Sequence, residues 1–257
     1  MNNTVNSASQ EWYSLVKRVA EAPTQVSRTK ATVEILSHKS TIDSTRPIVD
    51  NVDRKLSMRY AFAEAYHILT GRDDVKFLEK YNPRVAEFYG GNKETLWGAY
   101  GPRFVEQVGY VQHALMVDEG TRQAVVSLWR LNPHNRADVP CTLSLQFVIR
   151  DKALHTIVAM RSSDTWMGWP YDIFTFTMMG AYVALGSMKD PKLGTTTIFA
   201  GSQHLYAPDI PKARACEDGA RNRNPFVIGE FRQESLVDWL LARANGEEVD
   251  HLSLVIR

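Results

Sequence analysis

Only two cysteines, Cys141 and Cys216, occur among the 257 residues. Two thiols can build neither a disulfide framework nor a closed four-cysteine zinc site. Charge of one sign is scarce as well. The 30 Lys+Arg against 29 Asp+Glu leave a formal net charge of +1, so no basic excess drives binding to long nucleic acid or to an anionic membrane. A small anionic ligand needs only a local arginine cluster. No run approaches the roughly 20 apolar residues that span a bilayer. The first ten residues are polar and lack the apolar centre of a signal peptide. His38, His67, His113, His134 and His155 are scattered without ligand spacing, so no metal site is expected. There is no internal repeat and no low-complexity linker. With 44% hydrophobic and 23% charged residues, the chain reads as globular rather than disordered. The expectation is a soluble protein of a reducing compartment, cytoplasmic, with one domain over residues 1–257 and a ragged start at 1–10.

Hydrophobic spacing predicts helices and strands in alternation. Residues 11–20 carry Trp12, Leu15, Val16 and Val19 at helical intervals. A second helix is read over 55–69, with Leu56, Tyr60, Ala63 and His67 on one face and Gly71 ending it. Residues 102–117 and the nearly apolar 172–185 are two more, the last one buried. Strands are expected over 32–36, 124–129, 142–149, 155–160 and 195–200, with 150–152 turning the third into the fourth. The fold class is α+β, a central mixed sheet with helices packed on it.

Several residues could carry chemistry. Cys141 follows Pro140 at a strand start; such a cysteine is usually a small buried hydrophobe, and becomes a nucleophile only beside positive charge. Arg161, Ser162, Ser163 and Asp164 close a strand. A guanidinium with neighbouring hydroxyls suits a phosphate, although a turn with a surface ion pair has the same composition. Trp166, Trp169 and Tyr171 follow and could wall a pocket for a flat base. Asp172 opens an apolar helix, where an Asp is commonly an N-cap. Glu64 sits within an apolar helix and must be paired, protonated, functional or turned to solvent. His204 and Tyr206 offer polar groups after a strand.

Taken together and in this order, Pro140-Cys141, Gln146-Phe147, Met160 to Asp164, Gly168, Pro170 to Ile173 and His204-Leu-Tyr206 resemble the thymidylate synthase family. They look closer still to its cytidylate (dCMP or CMP) 5-hydroxymethylases, known from phages. The resemblance runs over residues 25 to 210 and is most specific between Cys141 and Asp172. It implies a homodimer with a sheet face at the interface, a pyrimidine nucleoside monophosphate as substrate, methylenetetrahydrofolate as cosubstrate, and a phage-infected or bacterial host cytoplasm. Cys141 then resembles the nucleophile that adds to C6 of the ring, which turns C5 into a carbon nucleophile. Arg161 and Ser162 would hold the phosphate, with Arg28 as a second phosphate arginine. Arg122 would reach the phosphate of the other subunit, although Gln123 stands where the pattern has a second arginine. Glu64 would organise water and move protons near the base, and Tyr100 would lie near the site of C5 proton removal. Asp164 would contact base and folate, and His204 and Tyr206 the sugar hydroxyl. Trp97 and Gly168 join Glu64 and Asp164 on the folate side.

Three departures bear on the reaction. Asp172 stands where thymidylate synthases carry Asn. The exocyclic amine of cytosine is a donor, so its partner must accept, and a carboxylate only accepts. After C6 addition N3 gains a proton, and a carboxylate facing N3–H and N4–H₂ matches that intermediate. Asp172 therefore argues for cytosine over uracil. Thr142 replaces the histidine usual after the nucleophile. Residues 250–257 also lack the tail pattern that closes over folate, which favours water over hydride at the C5 methylene. The expected reaction is 5-hydroxymethylation of dCMP or CMP. The alternatives are a cytidylate C5-methyltransferase using folate hydride and a non-catalytic nucleotide- or RNA-binding relative.

Overall fold

A computed structural model describes residues 5–27, 30–85, 94–130, 138–218 and 233–249. Among them, six strands form one mixed sheet: β1 (Thr24–Ser27), β2 (Lys30–Asp43), β3 (Val125–Ser127), β4 (Thr142–Arg150), β5 (Ala153–Asp164) and β6 (Lys192–Tyr206). Their order is β1-β2-β6-β5-β4-β3. Every neighbouring pair is antiparallel except β5 and β6. Parallel neighbours need a crossover, and α5 (Trp169–Gly186) supplies it. This helix is apolar on nearly all sides because it is covered on both faces. The sheet lies beneath it, while α2 (Met58–Leu69) and α7 (Gln233–Asn245) lie above. Phe62 of α2 meets Phe174 and Trp239 edge-on at 5.3 and 5.2 Å.

The amphipathic α1 (Ala8–Ala20) lays Trp12, Leu15, Val16 and Val19 against the sheet, each fully buried. Burial of that kind stabilises by roughly 1.5–3 kcal/mol per large side chain. Residues 8–10, expected within a ragged start, belong to this helix. Ser7 caps α1 in a capping box with Gln10, two reciprocal bonds that order the chain from that point. Three short or late helices lacked a clear periodic signal: α3 (Val75–Glu79), α6 (Ile210–Ala215) and α7. Helix α4 (Tyr100–Val117) begins two residues before the expected position. Helix α2 begins at Met58 rather than residue 55, because the Ser57 side chain accepts from the Tyr60 N–H. No helix among the described residues is long and apolar enough to cross a membrane.

One irregularity of the sheet positions the site. In β5 the buried positions alternate through Leu154, Thr156, Val158 and Met160 and then resume at Ser163. In β6 they run Thr196, Ile198, Ala200 and resume at Gln203. The same one-residue slip falls between Thr142 and Leu145 of β4, where the register shifts. It recurs at Ser37 of β2, which has φ 54°. These levels are neighbours, since Ser162 pairs with Ser202 and Ser202 with Leu36. The pairing register of β2, β6 and β5 runs unbroken through this level, so the strands slip together, and the slip re-aims their side chains there.

Candidate active site

At the level of the slip, Cys141 lies beside Arg161 and Ser162. The Arg161 backbone N–H donates to the Cys141 carbonyl at 2.8 Å. Its guanidinium donates to the carbonyls of Pro140 (2.9 Å) and Val139 (3.1 Å) and to the Ser162 hydroxyl (3.1 Å). The Ser162 hydroxyl in turn donates to Cys141 Sγ at 3.6 Å. Arg161 thus reaches the thiol through Ser162 while fixing the segment before it. Cys141 is half-buried, as a nucleophile must be to meet a substrate.

A second wall comes from Trp97 to Tyr100. The Gly98 N–H donates to Asp138 Oδ2 at 3.1 Å, and a Cβ at Gly98 would lie 1.9 Å from the Asp138 carbonyl oxygen. Only glycine permits that approach, which holds this segment against the strand carrying Cys141. The Tyr100 hydroxyl accepts from the backbone N–H of Thr142 at 3.2 Å and from its side chain at 3.0 Å. Burial, with Cys141 and Asp172 nearby, holds the phenol protonated far above its ordinary range. The half-buried Trp97 and the Arg103 stacked on its ring at 5.1 Å line a cavity of about 330 Å³.

The third group gathers at the carboxyl ends of the parallel pair β5 and β6, where a crossover leaves a crevice for ligands. Asp164 pairs in register with His204. One of its oxygens accepts from the backbone N–H groups of Trp166 (2.9 Å) and Met167 (3.0 Å). No hydrogen bond reaches its other oxygen among the described residues. Burial raises the Asp164 carboxyl despite those two bonds and His204. His204 and Tyr206 lie within β6 itself, their rings edge-on at 5.1 Å, and no hydrogen bond reaches buried His204 Nδ1.

Helix α5 starts at Trp169, after Gly168. Asp172 is therefore in the first turn and is not the N-cap; the Pro170 ring at the start takes the place of a capping signal. A helix N-terminus favours a negative charge, yet burial, followed by the charges of Glu64 and Asp164, raises the Asp172 carboxyl well above its ordinary range. A Cβ at Gly168 would sit 3.3 Å from both the Asp164 carbonyl and Asp172 Oδ2. Its absence leaves room beside both acids.

Glu64 faces the same place from α2. Its Oε1 accepts from the Tyr60 hydroxyl at 2.9 Å, and its Oε2 from the Thr175 hydroxyl at 3.5 Å. Burial pushes its carboxyl from 4.5 to about 7, against those two donors. Tyr60 and Thr175 did not stand out as site residues. The signal for each was spacing: Tyr60 is one turn before Glu64, and Thr175 one turn after Asp172.

The structure thus brings Cys141, Arg161, Ser162, Tyr100, Asp172, Glu64, Gly168, Asp164 and His204 into one linked group, with Tyr206 beside His204. Arg122 stands apart. Its side chain is exposed, and its carbonyl accepts from Gln146 at 2.8 Å. Arg28 lies outside the described residues, as does the segment 250–257.

A sequence profile described as "Thymidylate synthase" matches residues 10–227. A curated relative, the thymidylate synthase of Buchnera aphidicola subsp. Baizongia pistaciae (strain Bp), is 26% identical over 162 residues, 59% of this chain. The matched stretch spans 61% of that protein's length.

Proposed function

From the premise that the chain belongs to the thymidylate synthase family, we propose that it is a one-carbon transferase acting at C5 of a pyrimidine nucleoside monophosphate, and that this nucleotide is a cytidylate, dCMP or CMP, converted to its 5-hydroxymethyl form. The observation that carries the base assignment is Asp172, a carboxyl group buried beside Glu64 and Asp164. A protonated Asp172 donates its O–H to N3 of neutral cytosine and accepts from the exocyclic amine. When Cys141 Sγ adds to C6, N3 becomes more basic and the proton passes to it, leaving a carboxylate opposite two N–H donors. The site is then matched to the adduct at the step where charge develops. Uracil presents a carbonyl at C4 in place of the amine, so the carboxylate left at the adduct stage would meet that oxygen with the wrong polarity, and the discrimination arises at that step.

Arg161 and Ser162 hold the phosphate, with Arg28 joining them. His204 and Tyr206 take the sugar hydroxyl. The folate side is formed by Trp97, Gly168, Asp164 and Glu64. The fit rests on the open Asp164 oxygen and on the space at Gly168. Methylenetetrahydrofolate, when bound, supplies the carbon unit at the formaldehyde oxidation level. Glu64, poised near neutrality, moves protons and positions the water that completes the hydroxymethyl group. Tyr100 is placed by Thr142 beside Cys141 and would assist removal of the C5 proton. The protein acts as a homodimer, with exposed Arg122 reaching the partner's phosphate site. The exposed Leu36 and Phe199 of the sheet, 69% and 46% accessible, support such pairing.

The test is mass spectrometry of the nucleotide after incubation with methylenetetrahydrofolate and dCMP, CMP or dUMP in separate reactions. A hydroxymethyl gain on a cytosine nucleotide is expected, and the better substrate identifies the sugar. A methyl gain with dihydrofolate formed would assign the methyltransferase reaction instead. Product from dUMP alone would overturn the base assignment, and no product from any nucleotide would leave a binding protein.

A further inference from the structure

Thr175 of α5, one turn after Asp172, donates to Glu64 of α2, and the Glu64 charge bears on the Asp172 carboxyl across this helix contact; the surroundings of the two acids differ in one respect. Glu64 receives two hydroxyl donors, Tyr60 at 2.9 Å and Thr175 at 3.5 Å. No hydrogen bond reaches the Asp172 carboxyl among the described residues. Donors stabilise an anion, and an undonated carboxyl in the same surroundings keeps its proton. Two acids this close titrate as a pair, so the location of one shared proton is a property of the whole arrangement.

The other charged groups do not reverse that bias. Asp164 on β5 adds negative charge beside Asp172, while Tyr100, itself beside Cys141, faces Asp172 from the other wall. On α2 and the helices packed against it, His67 is engaged with Asp74, Arg59 with the Ala244 carbonyl and Arg243 with the Phe62 ring. The Tyr60 ring is itself held edge-on against Tyr171 at 5.2 Å, and the Tyr171 hydroxyl accepts from the Ser57 N–H at 3.2 Å. Its hydroxyl is therefore fixed on Glu64.

We propose that Tyr60 is a positioning residue that keeps the negative charge of this pair on Glu64 and the proton on Asp172, so that Asp172 meets the cytosine ring as a hydrogen-bond donor. The inference rests on the cytidylate reading above, but the proton's location can be observed without any substrate. Tyr60→Phe keeps the ring packing and removes only the donor. Infrared difference spectra of the free protein at pH 7.5 should show a protonated-carboxyl band that is lost in Asp172→Asn and kept in Glu64→Gln. In Tyr60→Phe part of that band should move to Glu64. A band that belongs to Glu64 in the wild type, or is unmoved by Tyr60→Phe, overturns the proposal whatever the substrate.

With nucleotide, Tyr60→Phe should weaken cytidylate binding about ten- to a hundredfold at pH 8, the size of losing one hydrogen bond to a charged group. The loss should shrink near pH 6, where both acids carry protons, and vanish in an Asp172→Asn background. Thr175→Val should act in the same direction, less strongly. A loss that is equal at both pH values and persists without Asp172 would show a merely structural Tyr60. Infrared bands as expected, with no cytidylate bound by the wild type, would overturn the nucleotide reading while leaving the proton assignment standing.

Discussion

Replacing Glu64 with Gln should make the protein more stable at alkaline pH while abolishing its turnover. Burial raises this carboxyl from 4.5 to about 7. The folded state therefore holds a proton that the unfolded chain releases from pH 4.5 upward. Its contribution is fully present below 4.5 and is lost as pH rises through 7. A rise of about 2.5 pH units at about 1.36 kcal/mol each gives a cost of about 3 kcal/mol for the ionised form. Gln has nearly the same shape, still accepts from Tyr60, and never ionises. Urea unfolding of wild type and Glu64→Gln between pH 5 and 8.5 measures the difference directly. The variant should be level with or slightly below the wild type at pH 5 and about 2–3 kcal/mol above it at pH 8.5. A difference that does not change with pH would refute the reasoning, because it would mean that Glu64 is not held in a site that resists its charge.

Cys141→Ser should abolish turnover yet leave nucleotide affinity within a few-fold by calorimetry, since the thiol is needed only for the C6 bond; surviving turnover would exclude the covalent route. Asp172→Asn should move the ratio of kcat/KM values from cytidylate towards uridylate by about 10²–10⁴, the range for a mismatched buried polar contact; competition assays with the two nucleotides read it. Gly98→Ala should lower stability by about 1–3 kcal/mol by denaturant titration, because the added Cβ falls 1.9 Å from the Asp138 carbonyl oxygen.

The legible parts of this fold are those where a side chain's role depends on near neighbours in sequence. Trp12, Leu15, Val16 and Val19 announce α1 by spacing, and the β4–β5 hairpin turns where its polar residues are. The phase slip across β2, β6, β5 and β4 was not legible, because a slip that neighbouring strands share is a property of their pairing. Arg161 to Asp164 reads in the sequence as the close of a strand, and β5 does end at Asp164; the shift in which of these residues are buried could not be read there. Asp172 shows a related limit. A single Asp before an apolar run has the look of a cap, but Pro170 and Gly168 start the helix three residues earlier and carry the acid inward. Tyr60 was visible only as an apolar ring in a helical stripe. That its hydroxyl serves Glu64 depends on the rotamer that Tyr171 enforces from another helix.

The placement of three acids, Glu64, Asp164 and Asp172, in one buried corner is costly for any fold, since each resists the charge of the others. Asn at position 172 would relieve the corner without changing its shape. On the proposed function, the cost falls on the position that faces the polar edge of the base, where cytosine and uracil differ. A purely structural acid would gain nothing there, because no hydrogen bond from the described residues stabilises its anion. A proton donor that becomes an acceptor during the reaction gains at both stages. If Asp172 reads the base as proposed, it does so as a group kept protonated by its neighbours rather than as a fixed negative charge. Tyr60, Thr175 and Asp164 would then serve one end, holding the proton at the oxygen from which N3 can take it.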